Sequence, residues 1–565
     1  MIAQEHSAPD VRHSADRLGT LAAYGLAGLL AILFFFTLYP NPVDFLIGNG
    51  AYFEMGDTPQ HVSGWLLYAK DSWRWPLLST QMISPQQGSH IALTDSIPLA
   101  ALLFKPIAPF LWENFHYFGL WHLGAKILQA TGAVFLIRAL GHKTILAGLV
   151  AAALALMSPS MLFRLQHTAL MSHGLLLFTL GFYFGALRRD WSLRRLCLAF
   201  AVLILLALLV HPYLVAMVFP LFLAASWDRW GGLRHWRKVL ATIGIVTVSV
   251  AVPAILLGYG SAASSGASGG FDIYSMNLLA PFCGGSLSPC GFIDATGGQY
   301  EGFNYLGLGT LLIIAAALVS AALTWRSLPP WVSSHAALVT ILTGLVLYAL
   351  SGHIFLGMRE LVALQYPFPI STLSTVFRAS GRFFWPVGYA ALFLALAAVL
   401  RLRAPVYLTL LPLALMLQWL DTEGLRRDTR SFLTSVAPFD YSGWSHFQGE
   451  IHSIKVTPEY GCAAGIENMR YVYFQVVAAR LGVPINTAYQ ARTSSTCSDP
   501  EDIASQMEPG VLRVNLSPSN DEVASADMQA RLRDGTCWQW TGWHGLIMCL
   551  PGSSEQDWAK LNIAQ

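Results

Sequence analysis

The chain has 565 residues, of which 54% are hydrophobic and only 12% charged, with a formal net charge of +2 at pH 7. Soluble domains carry about 25% charged residues, so an ordinary soluble protein is excluded. The net charge by itself says little about partners, and no nucleic-acid partner is expected.

Charges cluster, and the stretches between them are long. Arg17 to Asp44 encloses 26 uncharged residues and Lys143 to Arg164 encloses 20. A helix rising about 1.5 Å per residue needs about 20 apolar residues to cross the hydrocarbon core. The strand alternation of a membrane barrel is absent. The first run is too long for a signal-peptide core and lacks a small-residue cleavage site, so it reads as a retained anchor.

The predicted class is a polytopic α-helical membrane protein of about 11 transmembrane helices. They fall near residues 19–40, 117–137, 144–163, 168–187, 194–210, 212–226, 239–258, 303–324, 333–351, 383–400 and 404–420. The fifth and sixth share one uncharged run, broken by "HPY" at His211 to Tyr213, where Pro favours a turn or kink. A single bent span there would leave ten crossings and put both chain ends on one side.

Positive charge arbitrates, because cytoplasmic loops retain Lys and Arg. With the N-terminus inside, the inner segments hold 15 Lys and Arg, while the outer segments before residue 421 hold 7. This also keeps "RRDWSLRR" and "DRWGGLRHWRK" both inside. Residues 1–420 then form a membrane domain whose first outer loop, 41–116, is long. Residues 421–565 form a small extracytoplasmic α/β domain, with helical "MRYVYFQVVAARLG" and strand-like "GVLRVNL" and "CWQWTGWHGLIMCL". Its Trp538, Trp540 and Trp543 suit either a core or stacking on sugar rings.

Six of the seven cysteines fall in segments assigned to the outside, where disulfides form. Cys283 with Cys290 would close "CGGSLSPC", and Cys537 with Cys549 could staple the hairpin. Zinc is the rival reading, without supporting His or C-x-x-C spacing.

The first outer loop is chemically rich. "YFEMGDTPQHVSGW" packs Glu54, Asp57 and His61 into eight residues, and "ALTDSIPLAALLFKPIAPFL" brings Asp95 and Lys105 on a segment suited to lie on the membrane. Both Asp57 and Asp95 stand before a Pro at an expected helix start, where Asp serves as a cap. His61, one turn after Asp57, would face the same side, and Lys105 has a stem long enough to snorkel.

Further polar groups sit at outer span ends. They are Arg164, His167 and His173 in "RLQHTALMSH", Glu301, Asn304 and Tyr305 in "GGQYEGFNYLGLG", and Arg378 and Arg382 in "STVFRASGRFFWP". Arg at a boundary anchors to lipid phosphates. Two Arg four residues apart, with Gly381 between them, also suit a phosphate or diphosphate ligand. Lys126 lies inside the second span, where a charge requires a partner or a cavity. The span centres are otherwise nearly free of charge, unlike a coupled transporter.

The order of these elements resembles the GT-C class of membrane glycosyltransferases. "GDTPQHVSGWLLY", "TDSIPLAALLFKP", "EGFNYLGLG", "SGRFFWP" and "ARLGVPINTAYQAR" resemble strings of a bacterial GT-C-like family of unknown function. The resemblance implies inverting sugar transfer from a polyprenyl-phosphate-linked donor to an envelope glycan or glycolipid acceptor. It places the protein among membrane lipids as a multi-pass protein of a bacterial inner membrane, with its N-terminus cytoplasmic, its C-terminal domain periplasmic and transfer at the outer face.

By position it makes Asp57 the general base, with Glu54 the second candidate and His61 placed to orient Asp57 or contact the sugar. Asp95, Lys105, Arg164, His167, Glu301, Tyr305, Arg378 and Arg382 become substrate-binding candidates. The first loop has no Asp-x-Asp motif, so no cofactor is assigned and metal ligands are unknown; a divalent cation is the alternative that the resemblance allows. A flippase or transporter of polyprenyl-linked glycans, or a non-catalytic assembly subunit, are the rival functions.

Overall fold

The structure is a computed structural model that describes residues 8–260, 269–323, 326, 328–367, 370–437, 439–463, 465–492, 497, 507–541 and 545–561. The chain forms two compact units. The first comprises residues 1–42, 120–251 and 268–432, and the second comprises 43–119, 252–267 and 433–565.

Among the described residues, seven helices are long and apolar enough to cross a membrane. They are Arg17–Leu38, Phe118–Ala139, Thr168–Arg188, Leu193–Val210, Gly232–Leu256, Ser380–Val399 and Ala404–Asp421. Three other expected spans fall on shorter apolar helices, Ile145–Leu156, Leu308–Leu323 and Ala336–Leu350. A 12-residue helix reaches only about 18 Å, short of the roughly 30 Å core. The first of them breaks at Ser158 and resumes as Pro159–Leu162, as expected before a Pro. The run 196–227 is two helices, Leu193–Val210 and Pro212–Trp230, broken where His211 turns extended.

Within the first unit, Pro212–Trp230 packs on Gly174–Arg188, while Leu308–Leu323 packs on both Trp385–Val399 and Ala404–Asp421. A Cβ on Gly309 would stand 2.0 Å from the Ala414 carbonyl oxygen, so that crossing depends on a bare backbone. Outward faces stay apolar: Leu240, Ile245 and Val248 are exposed along one helix, a surface that water would not tolerate and lipid does.

The second unit joins the first loop to the tail. A four-stranded sheet is its centre. Ser453–Thr457 runs parallel to Val511–Asn515, which pairs antiparallel with Leu546–Cys549, itself paired with Cys537–Trp540. All of Val511–Asn515 is buried, and Met528, Cys537, Ile547 and Cys549 form a core against the sheet. Trp540 is buried and Trp538 half-buried, in keeping with a core role, while Trp543 lies outside the described residues.

Helix Thr58–Lys70 packs on Asn468–Leu481, and Lys70 Nζ donates to the terminal carbonyls of Ala479 (2.7 Å) and Arg480 (3.1 Å). The Ile485 backbone bonds both Met82 and Ser84, Ala491 N–H donates to the Leu93 carbonyl, and Gln490 donates to Ser89. The stretch 479–492 is therefore the seam that holds the first loop.

Cysteines pair as Cys283–Cys290, Cys462–Cys497 and Cys537–Cys549, and Cys197 is a buried free thiol. The first and third match the pairs that chain proximity suggested.

Candidate functional sites

In the second unit, the chain turns at Gly56 (φ +60°), a left-handed position that glycine occupies without strain. Asp57 follows at the head of helix Thr58–Lys70, with Pro59 in its first turn. The Asp57 backbone is already helical (φ −82°, ψ −13°), and its carboxylate makes no capping hydrogen bond to the helix. Capping requires an extended backbone that aims the side chain back at the N2 or N3 amide. Here that geometry is absent, and the half-buried carboxylate is not serving as a cap.

The helix below Asp57 is fixed from several sides. His61 is buried, and its carbonyl accepts from Ser96 Oγ at 2.7 Å. Trp65 Nε1 donates to the Phe115 carbonyl at 2.7 Å. A Cβ on Gly64 would lie 2.3 Å from Thr94 Oγ1. Such bracing gives a side chain at the helix head a defined position.

Glu54 is engaged elsewhere, in an ion pair with Arg480. Burial pushes its carboxyl above the usual range, and Arg480 offsets only part of that rise. Asp95 does not begin a helix. It closes the 3-10 turn Ile91–Thr94 in a left-handed conformation (φ 54°, ψ 26°), while Ile97 precedes helix Pro98–Phe104. Ser96 and Ile97 intervene before Pro98, so Asp95 lies two residues ahead of the cap position, which Ile97 takes.

Lys105 does not snorkel. It is buried, with Nζ 3.7 Å from the Tyr68 ring centroid and 4.8 Å from that of Trp73. Burial draws its ammonium down to about 8. Asp71, which opposes that fall, is held below the ordinary Asp range. Burial alone would raise it, but Arg74, the Gln81 amide and Thr80 together outweigh burial.

In the first unit, four predicted residues converge. Arg382 meets Glu301 side-on, Nε to Oε2 at 2.9 Å and Nη2 to Oε1 at 2.7 Å. Arg164 pairs with the same carboxylate and donates to the carbonyls of Tyr300 (3.0 Å) and Glu301 (2.9 Å). His167 Nε2 stands 3.4 Å from Glu301 Oε1. Burial opposes ionisation of Glu301, yet Arg382 and Arg164, helped by His167, hold it well below the usual range. The cluster keeps a positive excess, two guanidinium groups around one carboxylate. The Arg382 guanidinium lies 4.8 Å from the Tyr213 ring centroid and that of Arg378 5.4 Å from Tyr274.

Gly381 does allow a close approach, but to backbone: a Cβ there would lie 2.3 Å from Gly302 Cα. The contact sets Arg382 beside Glu301. Asn304 crosses the same junction, donating to the Gly302 and Gly381 carbonyls at 3.0 and 2.8 Å.

Tyr305 belongs to a separate group. Its hydroxyl donates to Asp421 (2.6 Å), which also accepts from the Leu308 and Leu287 amides. His173 bonds Tyr389 at 2.9 Å. Lys126 is buried inside helix Phe118–Ala139, with Nζ 5.7 Å from the Tyr39 ring centroid. Asp421 and Arg480 were not singled out from sequence, although each was signalled, as an acid closing the last span and as a cation within "ARLG". Among the described residues, no three His, Cys, Asp or Glu side chains converge to hold a metal, and no step below is routed through one.

The apolar helices define a membrane protein. The chain belongs to the family described as Domain of unknown function (DUF6311), whose model matches residues 24–423, and the DUF6311 C-terminal domain matches 443–542. A comparison with curated proteins returns no match. Two solved structures of an Archaeoglobus fulgidus oligosaccharyltransferase are similar to it. The apo form has 10% identity, a TM-score of 0.43, and covers 83% of this chain and 64% of that one. The complex with zinc and sulfate has 10% identity and a TM-score of 0.42, covering 83% and 62%. The chain thus spans less than two thirds of either.

Proposed function

We propose that this protein is a GT-C-type glycosyltransferase that moves a sugar from a polyprenyl-phosphate donor to an envelope glycan or glycolipid at the outer face of a bacterial inner membrane. The observation that carries the reading is Asp57: a half-buried carboxylate at the head of a braced helix, with no capping bond to that helix. The resemblance of the first-loop string to GT-C enzymes supplies the chemical role.

In this reading the Asp57 carboxylate takes the proton of an acceptor hydroxyl as its oxygen attacks the anomeric carbon. The bond from that carbon to the donor phosphate oxygen breaks on the opposite face, and the phosphate leaves with the electron pair. General-base assistance of this kind contributes about 10²–10⁴-fold. Glu54 is the weaker candidate because Arg480 already holds it.

The test is sugar transfer from a panel of polyprenyl-phosphate sugars by the parent and by Asp57→Asn. Loss of turnover with donor binding retained supports the assignment. Full activity in Asp57→Asn removes Asp57 as the base.

A further inference from the structure

A cavity in the first unit shares no lining residue with the Glu301 cluster. It has a volume of about 480 Å³ and is lined at one end of four helices. Gly19, Thr20 and Tyr24 come from the start of Arg17–Leu38, and Phe135 and Arg138 from the end of Phe118–Ala139. Arg189 follows the end of Gly174–Arg188, and Arg195 opens Leu193–Val210. Lys143 and Trp191 also line it.

Four of the lining side chains are cationic, Arg138, Lys143, Arg189 and Arg195, and none is a carboxylate. Asp190, the acid adjacent in the chain, is exposed and lies 3.4 Å from Arg229 instead. Two of the cations are held in place. Arg138 donates to the Lys143 carbonyl at 2.6 Å, and the Arg195 guanidinium stacks 4.4 Å from the Trp191 ring centroid. Arg188, just outside the lining, donates to the Leu140 carbonyl. The carbonyls at these helix ends are therefore partly neutralised, and the remaining guanidinium and ammonium groups face the space.

Four like charges lining one cavity repel one another, and an anion relieves that repulsion. Guanidinium forks match phosphate oxygens in pairs, with Lys adding a point charge. The rest of the wall, Tyr24, Phe135, Ala139 and Trp191, is apolar or aromatic, which suits the part of an ester nearest the phosphate. The positions lie on the side that the distribution of Lys and Arg marks as inner.

We propose that this cavity binds a phosphate ester, supplied by the headgroup of an anionic lipid or by a soluble phosphate. The site is independent of sugar transfer, so loss of one leaves the other standing.

Native mass spectrometry of the full chain in neutral detergent tests it, with phosphatidylglycerol, phosphatidylcholine and inorganic phosphate as probes. The exposed Lys143 and Arg189 are the residues to change. Lys143→Gln and Arg189→Gln should each weaken anion binding about fivefold, and together about 25-fold, given the usual worth of one cation near a charged surface. Thermal midpoints without anion should stay at the parent value. Arg234→Gln with Arg237→Gln, exposed cations outside the cavity, should leave binding unchanged. Selective binding of phosphatidylglycerol assigns the lipid source, and binding of inorganic phosphate assigns the soluble one. Equal affinity for both lipids without phosphate binding, or undiminished binding in the double variant, overturns the proposal.

Discussion

Arg382 and Glu301 form a two-point ion pair, with nitrogen–oxygen distances of 2.9 and 2.7 Å, although 81 residues separate them in the chain. Arg164 closes on the same carboxylate from the other side. Removing one member of a buried cluster leaves charge uncompensated, at about 3–5 kcal/mol. Glu301→Gln should accordingly lower the unfolding midpoint of the full chain more than Arg378→Gln does. The folded Glu301 pKa lies below the unfolded one, so its contribution is present above the unfolded value and lost as pH falls through the folded one. The deficit of Glu301→Gln relative to the parent should shrink on acidification below about pH 4.5. A constant deficit down to acid pH would remove the ion cluster as its source.

Gly381→Ala should disturb the same cluster without touching a charge. The added methyl meets Gly302 Cα at 2.3 Å, and backbone on both sides has little freedom to yield. Overpacking of this kind costs about 1–3 kcal/mol. Thermal unfolding of Gly381→Ala beside Gly388→Ala, whose new Cβ has its nearest contact at 3.2 Å on a side chain, is the direct comparison. Equal midpoints would mean that the glycine contact is not limiting.

Lys105 has its own pH signature. Its folded pKa of about 8 lies below the ordinary Lys value, so between about pH 8 and 10.5 the unfolded chain holds the extra proton and stability rises with pH. Lys105→Met should therefore be the more stable protein at neutral pH, by about 1–3 kcal/mol after loss of the ring contacts. That advantage should vanish by about pH 10.5. A Met variant less stable than the parent at pH 7 would show that the contact with Tyr68 outweighs the desolvation of the ammonium.

Asp57 and Glu54 are separable by activity. Under the proposed mechanism, Asp57→Asn should lower kcat by about 10²–10⁴-fold with little change in the unfolding midpoint. Glu54→Gln should keep most of the rate, because its carboxylate is occupied by Arg480; the exposed part of that pair makes the stability cost small, about 0–1 kcal/mol. A reversed order of the two rate losses would transfer the role of base to Glu54.

The residues around Glu301 show how far sequence reading reached. In sequence, Arg164, His167, Glu301 and Arg382 each stand out by lying at a span end, a local property. Their mutual engagement was not visible, and the phosphate reading of Arg382 did not anticipate an internal carboxylate partner. Asp95 looked like Asp57 in sequence, since each is an Asp shortly before a Pro. The two differ because Asp57 stands directly before helix Thr58–Lys70, whereas Ser96 and Ile97 separate Asp95 from helix Pro98–Phe104.

By itself, the sequence determined the membrane class and the alternation of polar loops and apolar helices, and it suggested the short cysteine loops at 283–290 and 537–549 without fixing their pairing. These follow from hydropathy and chain proximity within about 20 residues, the length over which a helix meets the bilayer. Only the tertiary structure decided that the first loop and the tail share one unit through 479–492, that Arg382 faces Glu301, and that Lys105 lies on Tyr68. Those outcomes depend on which surfaces meet across tens to hundreds of residues. A bare backbone at Gly302 and Gly381, or a ring beside an ammonium, fixes the partner only after the helices have packed.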